Sequence, residues 1–392
     1  MMDAVLLAGG FVVLVLGAEL LIRGSSRLAA AAGMPSLVIG LTVVAFGTSA
    51  PELAVSVGST LGGSPDIALG NVVGSNIFNV LLILGLSALI APLTVSAQLV
   101  RFDVPVLIGV SLLVWLMALD HAIGRLEGAV LGLMLAIYLD VQIRLGRRSD
   151  GRDVPVVPAA RGPFAFAANV LLIVAGLVLL VAGARWLLSG ATGIARAAGV
   201  SELVIGLTIV AAGTSLPELA TSVLAALRGE RDIAVGNVIG SCMFNLLAVL
   251  GLAAVLSPAG IRVAGAALAF DIPVMAAVAL ACLPVFFRRH LIARWEGGVF
   301  TLYYVAYALY LGLAASGHQR LDGYREAMLG FVLPLTVLTF ALIAWRNWVK
   351  DGAASRGAGI PAAARPSLPH RGRLWCAAVC SRDKGPCRTC FS

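Results

Sequence analysis

The sequence predicts an all-α integral membrane protein made of two inverted-topology repeats of five transmembrane helices, with one further helix appended at the C-terminal end. Three observations predict it. First, 60% of the 392 residues are hydrophobic and only 12% are charged, whereas about a quarter of the residues of a soluble domain are charged. Second, apolar stretches close to the ~20 residues of a membrane helix recur along the chain. Third, residues 40–85 and 206–251 align without gaps at an offset of 166 and are identical at 29 of 46 positions.

The predicted helices fall into two equal sets. The first repeat, residues 1–145, has apolar stretches near 4–22, 37–60, 66–91, 104–119 and 125–145. The second repeat, residues 164–315, has them near 165–188, 202–227, 232–257, 268–287 and 295–315. Because five is an odd number, the second repeat must enter the membrane from the opposite face, which makes the repeats inverted.

Three segments lie outside the repeats. The polar, proline-containing stretch 146–163 is a linker, and the apolar stretch within 326–349 is the additional transmembrane helix. The basic tail 350–392 is rich in Pro, Gly and Ala and is expected to be disordered. Four of the six cysteines lie in this tail, where zinc binding is the less favoured alternative.

The net charge of +8 reflects membrane topology. Arginines are concentrated in alternate loops, including the linker, and such loops face the cytoplasm. We therefore expect a multi-pass protein of the cell (inner or plasma) membrane, with its N-terminus outside and the linker in the cytoplasm. The lipid bilayer and inorganic cations are the expected partners, and nucleic acid is not.

The repeated segment places polar side chains inside apolar helices. Thr48, Ser49 and Glu52 stand near one helix face. Pro51 has no N–H group, so the carbonyl of Gly47 loses its helical partner and the helix should break near the middle of the membrane. Carbonyls exposed at that depth are tolerated where they line a cavity or hold an ion. The second copy repeats the pattern with Thr214, Ser215, Pro217 and Glu218.

The next helix of each repeat carries a polar stripe. In the first copy its members are Asn71, Ser75 and Asn79, and in the second they are Asn237, Ser241 and Asn245. Together with the glutamates they offer carboxylate, amide and hydroxyl oxygens, which suit Ca2+, Na+ or K+ rather than zinc or copper. For any single hydroxyl or amide, bonding within its own helix or to a neighbouring helix is an open alternative. The glutamates differ, because a carboxylate within the membrane is expensive and this one is present in both copies.

Seven other acidic residues suggest structural roles. Glu19 is expected to pair with Arg23, because its counterpart in the second repeat is Arg185 and the two cannot be symmetric ligands. Glu127 and Glu296 lie near helix starts, where a carboxylate favours the helix dipole. We expect helix N-caps, with ion entry as the alternative, at Asp66, Asp103, Asp232 and Asp271.

The motifs G-T-S-x-P-E-L and G-N-V-x-G-S-x-x-F-N, each present twice, resemble the alpha repeats of the cation/calcium exchanger superfamily of sodium/calcium exchangers and their bacterial relatives. The resemblance covers residues 1–315. It implies ten helices and sodium inflow that drives calcium extrusion, with no permanently bound cofactor. It also implies contributions from the carbonyls of Ala45 and Ala211. The side-chain ligands it implies are Thr48, Ser49, Glu52, Ser75, Asn79, Thr214, Ser215, Glu218, Ser241 and Asn245.

The sequence departs from this family in two ways. Asn79 and Asn245 are both amides, where some relatives have aspartate, and Cys242 stands at the position that matches Asn76. The site therefore carries a formal charge of −2, which affects the stoichiometry and any requirement for K+.

The function predicted is a secondary active antiporter that exchanges Ca2+ for Na+. An antiporter that exchanges H+ for Ca2+ is the nearest alternative, and a cation channel is less favoured because no short pore loop with a carbonyl filter is present. We expect no enzymatic activity. The four histidines lie in loops or the tail, and the sequence contains neither H-E-x-x-H nor G-x-S-x-G.

Overall fold

The computed structural model of the chain is almost entirely helical and describes residues 2–148, 163–199, 211–287 and 290–315. In the first half the helices are α1 (Met2–Ala32), α2 (Ser36–Thr48), α3 (Ala50–Leu61), α4 (Asp66–Ile90), α5 (Leu99–Asp120) and α6 (Arg125–Arg148). In the second half they are α7 (Pro163–Ala197), α8 (Ala211–Gly213), α9 (Leu216–Leu227), α10 (Arg231–Leu256), α11 (Ala267–Phe286) and α12 (Arg294–Ala315).

Seven of these helices are long and apolar enough to cross a membrane, and an eighth span is formed if the bent pair α2 and α3 is counted as one. The chain is therefore an integral membrane helical protein. The helix α9 is a shorter apolar helix of 12 residues, and the first part of the span predicted for it, up to residue 210, lies outside the described residues. Most of the linker, the helix predicted at 326–349 and the tail 350–392 also lie outside them. The arrangement of five helices in each repeat stays a prediction.

The helices α4 and α10 form the centre of the molecule. Burial within the protein reaches 72% of the residues in the most apolar stretch of α4 and 83% in that of α10, against 33% for α1 and 22% for α7. A helix enclosed on all sides can carry polar side chains wherever they find partners within the protein. The two polar stripes predicted from the sequence are on these two central helices.

The helices α1 and α7 pack closely and run antiparallel. A Cβ atom added at Gly10 would meet the carbonyl oxygen of Gly183 at 2.9 Å, and one added at Gly17 would meet that of Gly176 at 2.8 Å. Glycine at these positions lets the two backbones touch. In both helices glycine recurs every seven residues along the contact. Seven residues are close to two helical turns, so these glycines lie on the same side of their helix.

Two short strand pairs connect the halves. The strand β1 (Leu93–Thr94) pairs antiparallel with β4 (Leu291–Ile292), and β2 (Ala122–Ile123) pairs antiparallel with β3 (Ile261–Arg262). In each pair one strand comes from the first half and one from the second. The pairing therefore fixes the loop ends of the two halves against each other.

The N-cap predictions for the aspartates are wrong. Asp103 and Asp271 are each the last residue of a π-helical turn that continues directly into the α-helix, so both lie inside a helix. Asp66 is already the first residue of α4, after Pro65, and α10 begins before Asp232 at Arg231. The helices start earlier than the pattern indicated: α4 begins at Asp66 itself and α10 one residue before Asp232, whereas α5 and α11 begin four residues before Asp103 and Asp271.

Asp103 instead belongs to a buried polar cluster between α5 and α6. Its side chain is fully buried and accepts hydrogen bonds from the hydroxyl of Tyr138 at 3.1 Å and from the side-chain amides of Gln98 and Gln142. The corresponding Asp271 accepts a bond from the hydroxyl of Tyr307 at 2.9 Å. These bonds tie α5 to α6 and α11 to α12.

The structural predictions for three other acidic residues, Glu19, Glu127 and Glu296, are confirmed. The Oε2 atom of Glu127 accepts the backbone N–H of Gly124 at 2.6 Å, and that of Glu296 accepts the N–H of Ala293 at 2.7 Å. Glu19 pairs with Arg23 at 2.6 Å.

Glu19 has a second partner that the sequence did not indicate. Its Oε2 atom lies 2.9 Å from an Nη atom of Arg228, which follows directly after α9. The carboxylate thus links α1 to the end of α9.

Candidate ion-binding site

A break between α2 and α3 places the first glutamate. Ser49 has φ −78° and ψ 5°, and the axes of the two helices differ by 43°. Pro51 occupies the second position of α3 and Glu52 follows in its first turn, where its side chain is fully buried. The predicted break is confirmed, and it sets the carboxylate at a helix N-terminus, which favours negative charge.

The second copy has the same local structure. Ser215 has φ −90° and ψ 10°, Pro217 is the second residue of α9, and Glu218 lies in its first turn. The side chain of Glu218 is fully buried as well. Neither glutamate faces lipid.

Each glutamate is held by a hydroxyl from the other half of the chain. Ser215 Oγ donates to Glu52 Oε1 at 2.8 Å, and Ser49 Oγ donates to Glu218 Oε1 at 3.2 Å. The two contacts are equivalent under the sequence repeat. The two breaks therefore face each other, and both halves contribute to one site.

Further predicted residues lie in the same cluster. Thr48 Oγ1 donates to Asn237 Oδ1 at 3.0 Å and lies 3.4 Å from Ser241 Oγ. Ser215 Oγ lies 3.2 Å from Ser75 Oγ. All five side chains are almost completely buried. The central helices thus bring their hydroxyls to the breaks of the opposite half.

Asn71 and Asn237 have a supporting role that the sequence did not distinguish. Asn71 Nδ2 donates to the backbone carbonyl of Glu52 at 3.1 Å and to Ser56 Oγ at 2.9 Å. Asn237 Nδ2 repeats this with the carbonyl of Glu218 at 3.4 Å and with Ser222 Oγ at 2.9 Å. These bonds fix the first turns that carry the glutamates.

The two supporting serines were missed by sequence reasoning. Ser56 and Ser222 are identical in both copies and stand one turn after the glutamates. That repetition was the signal available for finding them.

Asn79 and Asn245 begin π-helical turns in α4 and α10, a feature that is frequent at functional sites. Both side chains are fully buried. Asn245 Nδ2 donates to Asn76 Oδ1 at 3.2 Å. In the other half Cys242 replaces the amide at that position, and the Asn79 carboxamide has no hydrogen-bond partner among the described residues.

Several oxygens of this cluster are buried and have no hydrogen-bond donor in the part of the chain that the structure describes. They are Glu52 Oε2, Glu218 Oε2, Asn79 Oδ1, Asn245 Oδ1 and Thr214 Oγ1. In the same described ranges, no Lys, Arg or His lies within ion-pair distance of either glutamate. Buried oxygens that lack donors favour a cation. The donor set consists of hard oxygen atoms of the kind that Ca2+ and Na+ prefer.

The resemblance also implies two backbone carbonyls, those of Ala45 and Ala211, as ligands. The carbonyl of Ala45 accepts the N–H of Ser49 at 3.0 Å and the hydroxyl of Thr48 at 3.4 Å. Ala211 is the first residue of α8, two turns of chain before Glu218. Both lie next to a break, as expected from the repeat.

Comparison with known proteins places the chain in a family. The family described as "Sodium/calcium exchanger protein" matches residues 2–144 and 168–313, which is more than half of the chain. The putative antiporter CaxA of Alkalimonas amylolytica is 37% identical over 306 residues, covering 76% of this chain and 95% of that protein. The sodium/calcium exchanger MaX1 of Methanosarcina acetivorans is 32% identical over 338 residues, covering 77% and 96%.

Solved structures share the fold. The sodium/calcium exchanger of Methanococcus jannaschii superposes with a TM-score of 0.67 at 30% identity, covering 78% of this chain and 96% of that one. A structure of the exchanger NCX_Mj, soaked with 2.5 mM Na+ and 0.1 mM Ca2+, gives a TM-score of 0.68 at 30% identity over 79% of this chain and 98% of that one. The chain therefore belongs to the sodium/calcium exchanger family of the cation/calcium exchanger superfamily.

Proposed function

We propose that this protein is a secondary active antiporter that exchanges Ca2+ for Na+ across the membrane by alternating access. Glu52 and Glu218 bind the transported cations near the middle of the membrane. The observation that carries this proposal is the pair of fully buried carboxylates, each held at one oxygen by a serine of the other half. The second oxygen of each carboxylate has no hydrogen-bond donor in the described ranges and is available to a cation.

The proposed ligands are the residues that surround these carboxylates. The cross-half contacts of Thr48, Ser49 and Ser215 support this assignment. Asn71 and Asn237 hold the helix turns rather than the ion, because their amide nitrogens are directed to backbone carbonyls and serines. The complete proposed set is Thr48, Ser49, Glu52, Ser75, Asn79, Thr214, Ser215, Glu218, Ser241 and Asn245.

The charge of the site accounts for exchange. Two carboxylates neutralise one Ca2+ or two Na+, so the two cations compete for the same oxygens. A third Na+ leaves a net positive charge and makes transport electrogenic. An empty site holds two uncompensated charges, each unfavourable within the membrane by at least ~2–3 kcal/mol. The unloaded carrier therefore changes conformation reluctantly, which couples the two ion flows.

Alternating access follows from two inverted repeats of five helices. The antiparallel contact of α1 with α7 and the two strand pairs between the halves support this arrangement. Inverted repeats give inward-open and outward-open states that are near-equivalents. The helices that move are the flanking ones, while the central helices α2 to α4 and α8 to α10 keep the ligands. In this proposal the N-terminus is outside and the linker is cytoplasmic.

Exchange of Ca2+ for H+ is the second candidate, because two buried carboxylates without a basic partner can carry protons as well as metal ions. Both candidates use the same residues and differ in the ion that drives transport.

The deciding experiment is 45Ca2+ flux into proteoliposomes with gradients of Na+, K+ and H+ imposed one at a time. The proposal expects saturable flux that requires a Na+ gradient. Flux driven by a pH gradient alone would assign the second candidate, and flux without any counter-ion would indicate a channel.

A further inference from the structure

The pair of helices α1 and α7 is symmetric in itself. Gly10 and its repeat equivalent Gly176 both touch the opposite helix, because a Cβ atom added to them would meet the carbonyl oxygens of Gly183 and Gly17 at 2.9 and 2.8 Å. The helices that carry the proposed ligands are symmetric too, since the two bonds from serine to glutamate between the halves are equivalent. Any asymmetry between the halves therefore arises from how the α1–α7 pair lies against the ligand-bearing helices.

The α1–α7 pair lies asymmetrically against the two helix breaks. A Cβ atom added at Gly47 would come closest to the side chain of Leu177, at 2.5 Å, and one added at the equivalent Gly213 would come closest to that of Leu188, at 2.8 Å. Both leucines belong to α7. A symmetric arrangement would place Phe11 of α1, the equivalent of Leu177, against Gly213, but Phe11 is 60% exposed. Inverted repeats allow a second arrangement, in which α1 and α7 have exchanged these contacts.

The two outer helices also differ in their contacts with α3 and α9. The helix α1 packs against α9, whereas a cavity of about 150 Å3 lies where the equivalent α7 faces the start of α3, and Pro51, Ala54 and Arg185 are among the residues that line it. Arg185 is the repeat equivalent of Glu19. The Oε2 atom of Glu19 lies 2.9 Å from an Nη atom of Arg228, which follows the end of α9. The two equivalent positions therefore lie near opposite ends of their partner helices.

Exchange of the two arrangements separates the ion pair of Glu19 with Arg228. When α1 takes the position that α7 now has, Glu19 stands where Arg185 stands, beside Ala220, the equivalent of the cavity-lining alanine of α3. Ala220 and Arg228 are eight residues apart, which is about 12 Å along a helix at 1.5 Å per residue. The bond of Glu19 to Arg23 lies within α1 and persists in both arrangements.

The repeat offers no substitute for the broken pair. The equivalent of Arg228 is Gly62, which has no side chain, and the equivalent of Glu19 is the cation Arg185. The ion pair is thus present in one arrangement and has no counterpart in the other. A contact made in only one of two states shifts their ratio by the free energy of that contact.

We propose that the ion pair of Glu19 with Arg228 is a latch that holds the α1–α7 pair in the arrangement seen here and so sets the balance of the two access states. This inference rests on the proposed function, because it takes the two arrangements to be the two access states. The side chains of Glu19 and Arg228 are 16% and 55% exposed, so solvent weakens their attraction. For such a pair the expected shift of the equilibrium is up to about fivefold, the equivalent of about 1 kcal/mol.

The test measures the populations of the two arrangements by double electron–electron resonance in lipid nanodiscs with saturating Na+. Spin labels are introduced as a non-canonical amino acid, because the chain has six cysteines. They replace Val178 of α7 and Leu61 of α3, which are 62% and 70% exposed, whereas the ion pair joins α1 to α9. Two label separations are expected, one for each arrangement. Glu19→Gln and Arg228→Gln should each lower the fraction ratio of the arrangement seen here about fivefold.

Two controls distinguish a latch from a general loss of stability. Arg23→Gln removes the other partner of Glu19, and it should change the ratio less than about twofold, because that bond is the same in both arrangements. The double variant of Glu19→Gln with Arg228→Gln should shift the ratio no further than either single variant, because both remove one bond. Additive shifts would overturn the inference.

The outcomes separate this inference from the proposed function. Unchanged ratios in both single variants, or a single label separation with Na+, with Ca2+ and without either ion, would overturn the latch while Ca2+ flux driven by a Na+ gradient still supported the proposed function. An unmodified protein without such flux would overturn the proposed function, and with it the link between the ion pair and the access states.

A measurement on the unmodified, labelled protein covers the case in which neither variant folds. Choline chloride screens the partly exposed pair, since the Debye length falls from about 10 Å at 0.1 M to about 3 Å at 1 M salt. The fraction of the arrangement seen here should fall as the salt concentration rises, and a constant fraction would overturn the inference.

Discussion

Replacement of Glu52 by glutamine removes one of the two negative charges of the site while keeping its shape. The glutamine oxygen can still accept the hydroxyl of Ser215, which lies 2.8 Å from Glu52 Oε1. Two opposite unit charges about 4 Å apart attract by about 4 kcal/mol at an effective dielectric constant of 20, so a carboxylate attracts Ca2+ by about 8 kcal/mol. If desolvation offsets half of this attraction, the loss of the charge lowers the binding free energy of Ca2+ by about 4 kcal/mol, which weakens binding roughly a thousandfold.

The assay is Na+-gradient-driven 45Ca2+ uptake at micromolar Ca2+, in which the Glu52→Gln variant should show no uptake above background. Glu218→Gln should give the same result, because its carboxylate is held equivalently by Ser49. Glu127→Gln is the matched control, since this carboxylate caps Gly124 at a helix start outside the site.

Folding must be checked in the same preparations. The new amide nitrogen of the Glu52→Gln variant takes the place of a buried oxygen that has no described hydrogen-bond partner. A buried, unpaired N–H group costs about 1–3 kcal/mol, so thermal unfolding and size-exclusion profiles are measured beside the flux. Normal uptake by a folded Glu52→Gln or Glu218→Gln variant would refute the role assigned to these carboxylates.

Three further variants test the surrounding structure. Ser215→Ala removes the donor to Glu52, and since hydrogen bonds to charged groups contribute about 1.5–3 kcal/mol, Ca2+ half-saturation in the flux assay should rise at least about tenfold; no change would exclude the bond from ion binding. Gly17→Ala places a Cβ 2.6 Å from a backbone nitrogen of α7, so flux should be lost and the melting temperature lowered, whereas Gly9→Ala, which meets nothing within 4 Å, should leave both unchanged. Asp103→Asn disturbs a buried carboxylate that accepts from three side-chain donors and should lower the free energy of unfolding by about 1–3 kcal/mol. Asp271→Asn should lower it by less, because Asp271 is less buried and accepts from Tyr307; equal effects in thermal unfolding would contradict the reasoning from burial.

The sequence was sufficient to predict what depends on the repeat and on local chemistry. The presence of Glu52 and Glu218 at matching positions of the two copies pointed to them as candidate site residues. Pro51 predicted the helix break, because a residue without an N–H group weakens a helix wherever it stands. The pairing of Glu19 with Arg23 was also predictable, since residues four apart on a helix are neighbours. These inferences need only the chain next to each residue.

Properties that depend on packing between distant segments were not predictable. The exchange of serine donors between the halves depends on how the two breaks face each other, which no local pattern encodes. The second partner of Glu19, Arg228, belongs to another helix for the same reason. The N-cap prediction for Asp103 failed because α5 opens with a π-helical turn that ends at Asp103, so a residue that looked like a helix start lies inside a helix.

Within the candidate site the two halves contribute one carboxylate each but differ in hydrogen bonding, and this difference bears on the two access states of the proposed mechanism. Asn245 is oriented by the Asn76 oxygen at 3.2 Å, whereas Asn79 faces a half in which Cys242 supplies only a weakly accepting sulfur. Two inverted repeats with identical ligands would give inward-open and outward-open states of equal energy. The Asn245 amide is fixed by a hydrogen bond, whereas the Asn79 amide has no partner in the described residues. The free energy of binding an ion is therefore expected to differ between the access state that relies on Asn79 and the one that relies on Asn245. Under the proposed mechanism, the asymmetry at Asn76 and Cys242 is therefore expected to make the inward-open and outward-open states differ in energy.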